Sequence, residues 1–407
     1  MRKEQEEALE ELYLTKMLTK RDLSNCDFSG FNFSGCAFAG VDFSGCNLRG
    51  VNFSSSQFAF CVFEGADLDG VSALSCQFIS PDFSRANIKN VDFRATTIME
   101  TSIANAKISG EMLSTCILSE VDFVNAIVDG KIEKLMASDC NFIGLKILNG
   151  SLERCSFTSC KFEETGVTGT RFSEVSFVET ELLNCEMTDV SMDKCLFKNM
   201  EFPDWYFSSL QIQASQFVEC KLPRAVFSGG NYEGCGFLQS DMTEVNFEEA
   251  TATSCNFAGA DLTKANFKNA KLDYTIWNEA NLKAVHFDGS TLQGSSFETA
   301  NLNSAVLDNC DLSYANLSLA LMSKASIRDA ELNMAKLDLI QEEETIWTGS
   351  NKKKAQPVDE PKIAALQQKH IPEDTEFDID LSYIKKEALR IFDKVEKGKT
   401  RGFSKEI

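Results

Sequence analysis

The sequence predicts an all-β solenoid, a four-sided coil stacked on itself, and three observations carry that prediction. From Leu23 to Val128 every fifth residue is large and apolar except Ala73, giving 22 blocks without a skip; a second series of 42 blocks, one residue out of phase, runs from Ile132 to Leu337. Of the 32 Phe in the chain, 27 stand at these block centres. The residue two before each centre is small, mostly Ala, Cys, Val, Ser or Thr, and the other three positions are rich in Asp, Asn, Ser, Gly, Glu and Lys. Neither a helix at 3.6 residues per turn nor a plain strand at 2 has a period of five.

The block explains itself as a short strand and a corner. Side chains alternate faces along a strand, so a centre and the residue two before it point the same way. Polar and Gly residues then turn the chain onto the next side. Four sides close a coil of about 20 residues, and at ~4.8 Å per coil the 64 blocks make about 16 coils and a rod of roughly 77 Å. One large residue per side fills the narrow interior, and the small one fits beside it.

Blocks such as ADLDG (66–70), ANIKN (86–90), ADLTK (260–264), ANFKN (265–269) and ANLNS (300–304) give the pattern A(D/N)LXX. The chain resembles the pentapeptide-repeat proteins over residues 21–339, and the resemblance implies a right-handed quadrilateral β-helix.

The ends and irregularities are read in chain order. Residues 1–20 are expected to form a capping helix, with Leu9, Leu12, Tyr13 and Met17 at helical spacing over the open first coil. Within 128–142 the register slips by one, which leaves two readings: one side a residue short, or a nine-residue insertion looped out. At 201–209, EFPDWYFSS, Trp205 falls on a small-residue slot and Tyr206 faces outward. Either a bulge lets Trp205 cover a local gap, or the two aromatics are anchors for a partner. Pro203 and Pro223, twenty apart, belong in stacked corners.

After Leu337 the pattern is expected to stop. Residues 340–361 read as a polar linker carrying Trp347, and 362–407 as a helical tail. In that tail SYIKKEALRIFDKVEKG (382–398) places Ile384, Leu389, Phe392 and Val395 on one helical face, and residues 385–405 hold eight basic and three acidic side chains. Such a helix suits a partner groove, a second copy of the chain as a homodimer, or the end of its own rod.

All 15 cysteines stand two before a centre, the slot that Ala takes elsewhere. Free Cys is a small hydrophobe, so reduced, structural thiols are expected rather than metal ligands. No disulfide is expected of the stacked pairs Cys26/Cys46, Cys140/Cys160 and Cys235/Cys255, whose Cβ atoms about 4.8 Å apart exceed the usual span.

The formal charge of −21 disfavours direct contact with nucleic acid or anionic membrane. The charged N-terminus is unlike a signal peptide, and no run approaches the ~18 apolar residues of a span. The two histidines, His286 and His370, lack a nucleophile in a pocket; no catalytic residue, cofactor or metal site is expected. The function expected is therefore a protein-binding scaffold or adaptor, with Trp205, Tyr206, Trp347, Ile384, Leu389, Phe392 and Val395 as contact residues. Buried free thiols in odd number suit a reducing cytosol, so a cytoplasmic protein is expected; the resemblance implies a bacterial one and admits a link to secretion, with delivery that needs no cleavable signal. The alternative it implies is a DNA mimic acting on gyrase. Against that, residues 23–337 carry 40 acidic and 22 basic residues, or about one net charge per 4 Å where duplex DNA has one per ~1.7 Å, spread over all four sides.

Overall fold

Each position of the five-residue block has a structural reason, visible in the computed structural model, which describes residues 3–357. The centre side chain points inward and is buried, as Phe38, Phe58 and Phe78 are. The residue before it pairs with its equivalent one coil on, as Asp42 does with Val62. An Asp or Asn there also accepts a bond from the N–H two residues on: Ser29 N donates to Asp27 Oδ1 at 2.9 Å, Lys268 N to Asn266 Oδ1 at 3.1 Å. That side-chain turn is why Asp and Asn recur there.

Two residues after nearly every centre the backbone turns left-handed, at φ +72° for Gly30 and +56° for Asn25. Gly and Asn tolerate that region best, which explains their frequency at the corners. The small slot then closes the corner: Cys46 N donates to Phe43 O at 3.0 Å.

The coils stack in parallel. The first side, which begins with strand β1 (Met17–Thr19), runs as an unbroken ladder through residues 37, 57, 77, 97, 117, 136, 156, 176, 196 and 216 and on to Lys336. The second, third and fourth sides begin at Asp22, Asp27 and Asn32. Stacked centres make aromatic columns inside: Phe227 lies 4.4 Å from Phe247, and Phe257 lies 4.2 Å from Trp277, the rings nearly parallel. Such offset contacts add to the burial of each ring.

Ser, Thr and Cys share the small slot for a common reason. The centre carbonyl accepts the corner N–H, and its second lone pair accepts a hydroxyl or thiol from the coil above. Cys76 Sγ donates to Phe53 O at 2.9 Å, Ser56 Oγ to Phe33 O at 2.8 Å and Thr165 Oγ1 to Phe142 O at 2.8 Å, each across 23 residues. A thiol thus behaves here as a small apolar group with one useful donor.

The slip resolves into a short side. Ile117 pairs with Met136, Asp122 with Asn141 and Ile127 with Lys146, each nineteen apart, and the spacing returns to twenty at Lys131 and Ser151. The pairing of Ile127–Glu133 with Lys146–Glu153 loses one residue at the corner, where Gly130 turns left-handed at φ +84° opposite Asn149 and Gly150. Gly150 makes this close passage feasible: a Cβ there would sit 2.2 Å from Gly130 O. No nine-residue loop leaves this coil.

The N-terminal helix α1 (Lys3–Thr15) ends sooner than the spacing suggests, and Met17 already belongs to a strand. Ala8 and Leu12 are buried and Leu9 packs on the core, whereas Tyr13 and Met17, expected on the inner face, are exposed. The left-handed turn at Lys16 rotates the chain out of the helix, which moves Met17 off the helical face. Gln5 satisfies an open-edge carbonyl, its Nε2 donating to Asp27 O at 2.5 Å, and Arg21 pairs with Glu11 at 2.7 Å.

Candidate functional site

Where the ladder fails, backbone and apolar groups that other coils cover are left open. On the second side Glu181–Leu183 pairs with the preceding strand but not with 201–203; on the third, Glu186–Thr188 is likewise an edge facing 206–208. No backbone hydrogen bond joins 181–189 to 201–208 among the described residues, although Asp204 N and Phe207 N bond normally to the coil beyond. The stack is therefore intact on the first side and open on these two.

Trp205 is at the opening. Its equivalent one coil earlier is Cys185, so an indole stands where the interior allots a thiol. The ring packs edge-on to Phe202 at 5.2 Å and tilted against Phe207 at 5.6 Å, and remains half-buried. Tyr206 beside it is 71% exposed. Cys185, Met187, Asp204, Leu210 and the two aromatics surround a cavity of about 250 Å³. Both sequence readings thus contain part of the geometry: Trp205 packs locally on the core, while its edge and Tyr206 face solvent. The exposed Leu183 and half-buried Met187 give no sequence signal, because each occupies an ordinary place in its block.

Trp347 is not on a linker. Residues 341–356 form a further coil, with Gln341, Ile346, Asn351 and Gln356 N–H groups donating to the carbonyls of Ala320, Ala325, Ala330 and Ala335. Trp347 packs on the core, its Nε1 bonded to Glu342 Oε2 at 2.8 Å and Lys352 Nζ 4.2 Å above its ring. The centres of this coil are Glu342, Trp347 and Lys352, only one of them apolar. The slots continue with Ile340, Thr345, Ser350 and Ala355, the signal that would have found the coil. Ile384, Leu389, Phe392 and Val395 lie outside the described residues.

The fifteen cysteines stand as thiols, and Cys185 is the one not fully buried. Burial pushes Cys76, Cys155, Cys195 and Cys220 up to about 11 and Cys116, Cys235 and Cys310 to about 12, which removes thiolate reactivity at neutral pH. Among the described residues no group of His, Cys, Asp and Glu is arranged to hold a metal ion. His286 is half-buried at the surface beside Asp288, Nδ1 to Oδ2 3.2 Å.

Comparison with known families agrees with the architecture. The family described as "Pentapeptide repeat region" matches residues 227–302 and 260–337, and that described as "Pentapeptide repeats (8 copies)" matches 22–54 and 56–94. The chain belongs to the pentapeptide-repeat family. Solved pentapeptide-repeat structures similar to it include a protein of the Arabidopsis thaliana thylakoid lumen, 26% identical over 28% of this chain and 71% of that one, TM-score 0.18. Another is HetL of the cyanobacterium Nostoc, involved in heterocyst differentiation regulation, 16% identical over 58% of this chain and 89% of that one, TM-score 0.21. A third is a trypsin-treated variant of QnrB1, a plasmid-mediated fluoroquinolone resistance protein, 15% identical over 66% of this chain and 96% of that one, TM-score 0.23. No curated protein matches this pentapeptide-repeat chain.

Proposed function

We propose that this pentapeptide-repeat protein is a non-enzymatic protein-binding scaffold and that the opening at Trp205 and Tyr206 is a contact point on it. The observation that carries the reading is the local failure of pairing at 181–189 and 201–208, which leaves strand edges beside two aromatics. Aromatic side chains contribute strongly to association when a partner desolvates them, and an open strand edge offers backbone groups as well. The family's repeat architecture supports a binding role, and the interior, filled by its own Phe and Leu, has little room for a substrate.

The ion pairs weigh against DNA mimicry of the gyrase substrate. Each of the four sides carries axial pairs that interrupt an acidic stripe: Lys198 with Glu219, Lys221 with Glu201, Arg328 with Asp308 and Lys131 with Glu153. No helix among the described residues is long and apolar enough to cross a membrane.

The test is affinity capture from host lysate with the full chain, with Trp205→Ala/Tyr206→Ala, and with Tyr274→Ala/Tyr314→Ala as a control on intact coils. Loss of a captured protein with the first variant alone supports the contact point. Equal capture by all three removes it, and a type II topoisomerase in the eluate returns mimicry to first place.

A further inference from the structure

The ladder also fails on the same two sides between 81–90 and 101–109, and on the fourth side no bridge joins Asp92 to Met112. Asp82 pairs back to Val62 and Asn87 to Asp67, while Ser102 pairs forward to Asp122 and Lys107 to Ile127; no bridge joins 82 to 102 or 87 to 107. One coil earlier, Phe63, Gly65 and Leu68 N–H groups donate to Asp82, Ser84 and Asn87 carbonyls at 2.7, 2.8 and 2.9 Å. The equivalent N–H groups of Phe83, Arg85 and Ile88 have no such backbone acceptor among the described residues, and the side-chain bond from Thr101 Oγ1 to Pro81 O at 2.7 Å spans the opening. Asp82, Asn87, Ser102 and Lys107 on the two banks are exposed.

The result is a groove of about 840 Å³ with a strand-like bank on each side. Its inner wall is apolar, with Phe83, Ile88, Ile103 and Ala106 buried beneath it. Its rim is basic in a chain of charge −21. Arg85, Lys89 and Lys107 line it against a single acid, Asp82. Arg85 leans 3.5 Å from Glu64, but Lys89 and Lys107 have no ion pair among the described residues. Each bank offers both N–H groups and carbonyls, as the two neighbours of a missing parallel strand would.

From this we infer that the groove is a strand-addition site for an extended segment of a partner protein in which carboxylates alternate with small apolar side chains. The alternation follows from the pleat: one face of an added strand meets the apolar wall and the other the Lys89 and Lys107 ammonium groups. Backbone pairing supplies affinity without sequence preference, and the basic rim selects acidic segments. The inference does not rest on Trp205, so failure of one leaves the other standing.

The experiment uses the full chain and a fluorescein-labelled decapeptide alternating Glu and Val, followed by anisotropy. Three controls accompany it: a Lys–Val decapeptide, a Glu–Val decapeptide N-methylated at alternate amides, and the protein variant Lys89→Glu/Lys107→Glu, whose altered side chains are both exposed. Expected is saturable binding of the Glu–Val peptide, at least tenfold weaker binding to the variant, no binding of either control peptide, and slowed amide exchange at Phe83, Arg85 and Ile88. No binding of the Glu–Val peptide overturns the inference. So does undiminished binding to the variant, which places the peptide elsewhere. Equal binding of the N-methylated peptide leaves only charge attraction and overturns strand addition. A dimer in sedimentation that Lys89→Glu/Lys107→Glu dissociates assigns the groove to a second copy instead and overturns the partner segment.

Discussion

Gly150→Ala tests the short side most directly, with Gly130→Ala as its partner experiment. At Gly150 a methyl group would meet Gly130 O at 2.2 Å and Gly130 C at 3.1 Å, both backbone atoms that cannot rotate away. Restoring ordinary contact requires the strands Ile127–Glu133 and Lys146–Glu153 to part by about 1 Å, which carries about two to four ladder bonds out of range at about 1 kcal/mol each. The expected cost is therefore about 2–4 kcal/mol. At Gly130 the nearest atom is 3.9 Å away and the obstacle is the left-handed φ of +84°, worth about 1–2 kcal/mol. Guanidinium unfolding of both variants, followed by circular dichroism, gives the ordering. Amide exchange should report the Gly150→Ala loss mainly in 127–133 and 146–153. If Gly150→Ala is as stable as the parent, or Gly130→Ala is the worse of the two, the close approach of the two strands at this corner is wrong.

Other expectations follow from the same geometry. Phe237, fully buried and stacked at 5.2 Å on Phe217 and 5.0 Å on Phe257, should cost about 3–5 kcal/mol on replacement by Ala, measured by denaturant unfolding. Arg224→Ala removes a bond to Asp204 at 2.7 Å, but both side chains are more than half exposed, so the same measurement should change by less than about 1 kcal/mol. In the native protein at pH 8, Cys185 should react first with a thiol reagent, with the other cysteines following only on unfolding; rapid labelling of Cys116 or Cys310 would contradict their burial. The folded state keeps protons on Cys116, Cys235 and Cys310 up to about 12, against an ordinary 9.0. Their contribution is thus complete below about pH 9 and is lost as pH rises towards 12, so stability should fall through that window. Denaturation midpoints that stay flat from about pH 9 to 11 would count against it.

Sequence by itself determined the repeat, because each of the five positions answers to a local requirement: an inward centre, a small neighbour, an Asp or Asn that closes its own turn, a residue able to turn left-handed. Those requirements recur every five residues and need no distant partner. The cysteines were legible for the same reason, since a slot that admits Ala, Ser or Thr admits a thiol. Trp205 was conspicuous because it broke a size rule that could be read along the chain. What only the tertiary structure decided depends on which coil lies next. Gly130 and Gly150 acquire meaning only when stacked, and the slip becomes a short side only through their contact. Residues 341–356 extend the stack with the centres Glu342, Trp347 and Lys352, two of them charged, so the apolar signature that marks the rest fades there although the pairing continues. The two openings sit on the same two sides yet about a hundred residues apart in sequence. Residues 81–90 match the repeat as well as any other blocks, ANIKN among them. Pairing between coils is a property of two strands brought together, and a sequence pattern specifies each strand without specifying the distance between them.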